Sequence, residues 1–129
     1  MIKNREIQNK LTKNLLDLII LQLLQDHSMH GYELMVTIRK NFGVCFGAST
    51  IYPLLNTLEK KKYLKYYWSM DSERPRKIYE LTSDGKAILD YTSGALRAIC
   101  KNFGKNTIQT TNEDSNGVEF NIAYDMKRE

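Results

Sequence analysis

The sequence predicts a mostly helical α+β fold: three helices, a small two-stranded β-hairpin, then one further helix. Three observations predict it. Apolar residues recur at helical spacing in three successive segments before Tyr63. The period then falls to two between Tyr63 and Leu81, and a helical spacing returns after Thr82. A chain of 129 residues has room for one domain and one core, plus an arm or tail.

Residues 1–13 are polar and basic, an N-terminal arm or a short extra helix. From Asn14 to Gln25, eight of twelve residues are Leu or Ile. A helix apolar on most of its circumference must be covered on several sides, which in so small a domain predicts that a second chain covers part of it. Asp26-His27-Ser28 reads as a turn. A second helix follows from His30 to Asn41, with Leu34, Met35, Ile38 and Phe42 on one face and Asn41 and Gly43 as its stop. Val44-Cys45-Phe46 is a short extended link.

The third helix is expected to start at Ser49 or Thr50, either able to cap it. Pro53 falls in or just after its first turn, where a missing N–H costs little. Ile51, Leu54, Leu55 and Leu58 form its apolar stripe; Ser49, Tyr52, Pro53, Asn56 and Lys60 form the opposite face. The cations Lys60 to Lys62 suit a helix C-terminus. Leu64, Tyr66, Trp68 and Met70 then alternate with Tyr63, Lys65, Tyr67 and Ser69, which predicts an aromatic-rich strand with Trp68 packed. Residues 71–75 turn the chain, and Arg76 to Leu81 return it. Thr82 caps a fourth helix running to Phe103, where Leu89, Thr92, Leu96, Ile99 and Phe103 make a narrow seam of coiled-coil type. Leu89 and Leu96 have the alternative of packing on the chain's own core. Beyond Gly104 the chain is rich in Asn, Thr, Gln and Ser, a polar tail expected to be disordered, with a short strand conceivable over Val118 to Tyr124.

Helix, helix, helix, hairpin is the order of a winged helix-turn-helix. In that architecture the third helix enters the DNA major groove and the hairpin, or wing, reaches the neighbouring backbone or minor groove. The predicted divisions are an arm over 1–13, a winged-helix domain over 14–81, a dimerisation helix over 82–103 and a tail over 104–129. Charge agrees with a polyanionic partner. The net charge is +4, the tail carries −2, and residues 1–103 are left with +6. No acidic residue stands between Leu34 and Leu58. Ser49 and Thr50 suit contacts to bases or phosphates, and Asn56 suits adenine. Arg74, Arg76 and Lys77, beside the stiffening Pro75, suit a narrow minor groove. Taken singly, each has a plainer explanation: a helix cap, a solvated tip, helix-end charge.

Four ordered motifs carry a more specific resemblance. They are Leu16-Asp17-Leu18-Ile19-Ile20-Leu21, His30-Gly31-Tyr32-Glu33-Leu34, Ser49-Thr50-Ile51-Tyr52-Pro53-Leu54-Leu55 with Leu58-Glu59, and Arg74-Pro75-Arg76-Lys77-Ile78-Tyr79-Glu80-Leu81-Thr82, followed by Asp84-Gly85. Across residues 14–103 the chain resembles the PadR family of transcriptional regulators, in its small subgroup with a single C-terminal helix. The resemblance implies a homodimeric repressor that binds an inverted-repeat operator in double-stranded DNA. It also implies a dimer interface of the C-terminal and first helices, with Leu15, Ile19, Leu89, Leu96, Ile99 and Phe103 as candidates. Tyr32 and Tyr52 match the family's two tyrosines, expected near the DNA backbone or packed between the second and third helices. Some similar regulators bind flat aromatic compounds between subunits, so a small aromatic effector is the candidate ligand, with no residue singled out for it. Two features depart from the family pattern: the short acidic wing tip Asp71-Ser72-Glu73, and the tail.

Gly31 would let its helix start lie close to a neighbouring backbone or phosphate, unless it is a plain helix-start glycine. The alternatives to a DNA-binding regulator are a winged helix that binds protein, disfavoured by the acid-free third helix before Glu59, and a metal- or redox-responsive switch using Cys45, Cys100, His27 and His30. The two cysteines form no CxxC pair and read as small apolar residues. No glycine-rich phosphate loop and no serine–histidine–acid pattern is present, so neither an enzyme nor a cofactor is expected. The N-terminus lacks a secretion signal and no apolar run spans a membrane, which predicts a cytoplasmic protein.

Overall fold

The computed structural model describes residues 2–71 and 73–103. In chain order they form α1 (Ile2–Asn14), α2 (Leu16–Asp26), β1 (Met29–His30), α3 (Gly31–Phe42), α4 (Ala48–Lys60), β2 (Leu64–Ser69), β3 (Arg76–Leu81) and α5 (Ser83–Asn102). The strands make one antiparallel sheet in the order β1-β3-β2. The β2–β3 hairpin is the expected wing; β1 adds a third strand, pairing Met29 with Tyr79 and His30 with Ile78. The tail over 104–129, with the strand considered at Val118 to Tyr124, lies outside the described residues. No described helix is long and apolar enough to cross a membrane.

The N-terminal arm is a full helix. Thr12 of α1 is buried and donates its hydroxyl to the Gln8 carbonyl at 2.8 Å, and the Gln8 amide donates to the Phe42 carbonyl at 3.1 Å. At Leu15, between α1 and α2, the helical bonds Leu15 N–H to Leu11 O and Ile19 N–H to Leu15 O persist, at 3.0 and 2.9 Å. α1 therefore runs almost directly into α2.

Covering α2 takes no second chain. Leu16, Ile19, Ile20, Leu21, Leu23 and Leu24 are all buried within one protomer, against α1, α5 and β3, while Asp17, Gln22, Gln25 and Asp26 stay exposed. Leu34 and Ile38 of α3, Ile51, Leu55 and Leu58 of α4, Leu64, Tyr79 and Leu89 complete the core. Ile19 and Leu89, expected at a subunit interface, thus face inward. Leu89 sits in the first half of α5, where the helix crosses the core beside α2; the seam reading is corrected there.

Two further expectations need correcting, both at α4. Its N-cap is Gly47, not Ser49 or Thr50, and the Gly47 carbonyl accepts from Thr50 and Ile51 N–H at 3.0 and 3.1 Å. Ser49 and Thr50 lie inside the first turn. Pro53 consequently falls in the second turn, where it has no N–H to give the Ser49 carbonyl.

The C-terminus of α4 closes without glycine. Tyr63 N–H bonds to the Leu58 carbonyl at 3.0 Å and Lys62 N–H to the Glu59 carbonyl at 2.9 Å, the paired bonds of a Schellman motif. Lys62 occupies its left-handed position, at φ 67°. A lysine there pays for its Cβ, so Lys62→Gly is expected to raise the unfolding free energy by up to about 1 kcal/mol. Urea denaturation with an unchanged m-value checks this; a lowered midpoint would show that the Lys62 side chain contributes more than its backbone costs.

Candidate nucleic-acid interface

α4 exposes Ser49, Tyr52, Asn56 and Lys60, with Thr50 half-buried. These are positions i, i+3, i+7 and i+11 of one helix, so they share a face opposite Ile51, Leu55 and Leu58. On one flank of α4 an open cleft of about 740 Å³ separates the starts of α3 and α4 from the wing. Its helical wall is His30, Gly31, Tyr32 and Tyr52, and its wing wall runs from Glu73 to Lys77. Tyr32 is 65% exposed and Arg74 and Arg76 are exposed. The cleft therefore brings together Tyr32, Tyr52, Arg74 and Arg76, from three segments each about twenty residues from the next in sequence.

Gly31 makes that meeting possible. A Cβ built on it would lie 2.5 Å from Tyr52 Cε1 and 2.6 Å from Cζ and from the phenolic oxygen. Within the protein, the close neighbour of Gly31 is thus a side chain of α4 rather than a backbone. Because the colliding atoms are the far end of a half-exposed ring, Gly31→Ala should displace Tyr52 without unfolding the chain. Unfolding free energy is expected to stay within about 1 kcal/mol of wild type, while affinity for duplex DNA falls. Thermal melts beside a duplex titration decide it: equal losses in both would make Gly31 a stability residue only.

His30 caps α3. Its backbone N–H donates to Glu33 Oε1 at 3.1 Å, and its Nδ1 accepts from Glu33 N–H at 3.4 Å. Arg76 Nη1 lies 3.1 Å from His30 Nε2, so the wing meets the start of α3 there, and the tautomer of the ring decides which of the two contacts it accepts. Sequence reasoning gave His30 only a metal-binding alternative. Its real signal was the glutamate three residues on, the second half of a capping box.

Lys77 differs from its expected role. Its ammonium lies 3.6 Å from Glu59 Oε1 of α4 and 3.9 Å from the Tyr66 ring centroid. With its side chain 29% exposed, it joins the wing to α4 more than it offers a cation to a partner. It also faces Tyr79, whose hydroxyl is raised from its ordinary 10.0 by burial, an effect that the Lys77 charge opposes.

Trp68 is not packed as expected. It is 57% exposed and meets Tyr66 edge-on at 6.2 Å between centroids. The hairpin extends past the body, so on β2 only Leu64 is fully buried. Of the remaining interface candidates, Leu15 and Leu96 are half-buried, Ile99 is 50% exposed and Phe103 69% exposed. Tyr91 of α5 and Ile7 and Leu11 of α1 are further exposed apolar side chains that the sequence did not single out. Among the described residues no group of three or more His, Cys, Asp or Glu is arranged to hold a metal. Cys45 is exposed and Cys100 half-buried, both as free thiols.

Comparison with known proteins gives a consistent result. The model of the transcriptional regulator PadR-like family matches residues 20–91. An uncharacterized protein of Lysinibacillus sphaericus is 34% identical over 86 residues, which covers 64% of this chain and 79% of that protein. Among solved structures, a PadR family transcriptional regulator from Eggerthella lenta aligns with a TM-score of 0.69 at 27% identity, over 78% of this chain and 88% of that one. Bacillus subtilis PadR, solved in complex with operator DNA, aligns with a TM-score of 0.55 at 26% identity, over 59% of this chain and 44% of that one.

Proposed function

The chain belongs to the PadR-like family of transcriptional regulators, DNA-binding proteins that are not enzymes, and from that premise we propose that it is a cytoplasmic repressor that binds an inverted-repeat operator as a homodimer. The observation that carries this reading is the cleft in which Tyr32, Tyr52, Arg74 and Arg76 converge beside the exposed face of α4. α4 enters the major groove, and its start approaches the bases with short uncharged side chains. Asn56 reads an adenine edge, Ser49 and Thr50 contact bases or phosphates near the start of the helix, and Lys60 contacts the backbone at its far end. Tyr32, Tyr52, Arg74 and Arg76 grip the phosphates and sugars between α4 and the wing. The solved complex of Bacillus subtilis PadR with operator DNA supports this assignment by analogy.

The dimer is formed by the second half of α5, through Leu96, Ile99 and Phe103, with Leu15 and the exposed Ile7 and Leu11 as further contacts. Two exposed apolar helix stripes on one small chain are the support for a second copy there. Selection of the purified protein against a random duplex library tests the whole reading. Enrichment of an inverted repeat with half-sites about one helical turn apart is expected. No enrichment of any sequence would sink it.

A further inference from the structure

His30 sits where three elements meet: it is the second residue of β1, the cap of α3, and the partner of Arg76 on β3. On the reading that Arg76 contacts DNA, we propose that His30 is a positioning residue that holds Arg76 against the protein or releases it to the DNA according to the state of its ring.

The geometry offers the ring more donors than it can accept. Glu33 N–H points at Nδ1 from 3.4 Å, and the Arg76 guanidinium at Nε2 from 3.1 Å. A neutral imidazole has one accepting nitrogen, and an imidazolium has none. With the proton on Nδ1, the ring accepts from Arg76 and the side-chain half of the α3 cap is lost. With the proton on Nε2, the ring caps α3 and Nε2–H turns to Glu33 Oε1, 3.4 Å away; Arg76 is then released. With both nitrogens protonated, the ring keeps Glu33, loses the cap bond and repels Arg76. Two of the three states free the guanidinium, and each has a partner already in place.

DNA shifts this balance in a fixed direction. A phosphate in the cleft accepts from Arg76 and draws the guanidinium charge away from Nε2, so the ring takes up a proton as DNA binds. Affinity therefore rises as pH falls through the range in which histidines change charge. The other titratable groups lining the cleft are Tyr32, Tyr52, Glu73, Arg74 and Lys77. His30 is the one histidine among the residues lining the cleft, and histidine is the side-chain type that changes charge near neutral pH.

The test compares the full-length wild type with His30→Asn and Arg76→Gln. Asparagine keeps a capping acceptor for Glu33 N–H but neither titrates nor offers Arg76 a ring nitrogen. Binding to a selected operator and to a random duplex is measured from pH 8 to 5.5 at constant ionic strength. Wild-type affinity is expected to rise on the order of tenfold on acidification, as one charge-assisted contact is gained. Both variants should stay flat to within about twofold. A response retained in His30→Asn would assign it to another group. A response retained in Arg76→Gln would reduce it to ring charge alone. Either result overturns the latch.

Ring ¹⁵N spectra of the DNA-free protein provide a readout that does not depend on DNA. Arg76→Gln should shift the neutral His30 ring away from the Nδ1–H form, and an unchanged tautomer ratio overturns the latch whatever the DNA result. Failure of every variant to bind DNA at any pH would count against the DNA-binding reading instead, leaving the ring spectra to decide the latch.

Discussion

Gly85→Ala is expected to destabilise the fold by about 2–4 kcal/mol. A Cβ on Gly85 would stand 2.2 Å from the Tyr63 carbonyl oxygen and 2.8 Å from Leu81 Cδ1. Unlike the Tyr52 ring beside Gly31, that carbonyl cannot swing aside. It accepts the Thr82 backbone N–H at 3.1 Å and lies 3.0 Å from the Thr82 hydroxyl, which donates to the Lys62 carbonyl at 2.7 Å and accepts from Gly85 N–H at 2.9 Å. Moving the first turn of α5 to relieve the collision breaks this joint, and losing an N-cap alone costs about 0.5–2 kcal/mol. The helix propensity gained by replacing glycine returns at most about 1 kcal/mol. Urea denaturation measures the balance. A midpoint equal to wild type would mean that α5 can tilt off the start of β2 without penalty.

The second large effect separates two neighbouring cations of the wing. Arg76→Ala is expected to weaken binding to operator and random duplex alike, by about tenfold, and to lower the slope of log affinity against log salt by roughly one. Lys77→Ala should leave that slope unchanged. It should instead cost about 0.5–2 kcal/mol of stability, because it removes the ion pair with Glu59 and the stacking over Tyr66. Titrations at several salt concentrations, beside a melt of each variant, distinguish the two. If Lys77→Ala loses as much slope as Arg76→Ala, Lys77 leaves Glu59 when DNA binds.

How far the sequence discloses this arrangement depends on the range of each interaction. α2 to α4 are legible because their apolar residues repeat over ten or more positions, and the β2–β3 hairpin because two shorter strand-like runs flank a turn. β1 is two residues long, and no periodicity can express it; only its pairing with β3 defines it. The Gly47 cap was hidden by two better capping residues, Ser49 and Thr50, just beyond Ala48. At Lys62 the usual glycine signal of a helix end is absent, so the turn rests on backbone bonds to Leu58 and Glu59.

The candidate interface divides in the same way. The polar face of α4 and the cations of the wing were visible as residue types at the right spacing. What each cation does is set by a partner far away in sequence, Glu59 for Lys77 and His30 for Arg76. Leu89 shows the converse: a heptad-like spacing from Leu89 to Phe103 does not reveal that the first part of α5 lies over the chain's own α2.

Burial of six of the seven leucines and isoleucines of α2 by elements of the same chain separates folding from association. A protomer that closes its own core persists when it is alone, so its melting temperature need not follow protein concentration. The pairing proposed through the remote half of α5 is then an independent equilibrium. In the proposed homodimer, occupancy of an operator rises with the square of protomer concentration wherever the protomers are mostly apart. A cell would set the sharpness of the response by how much of the protein it makes.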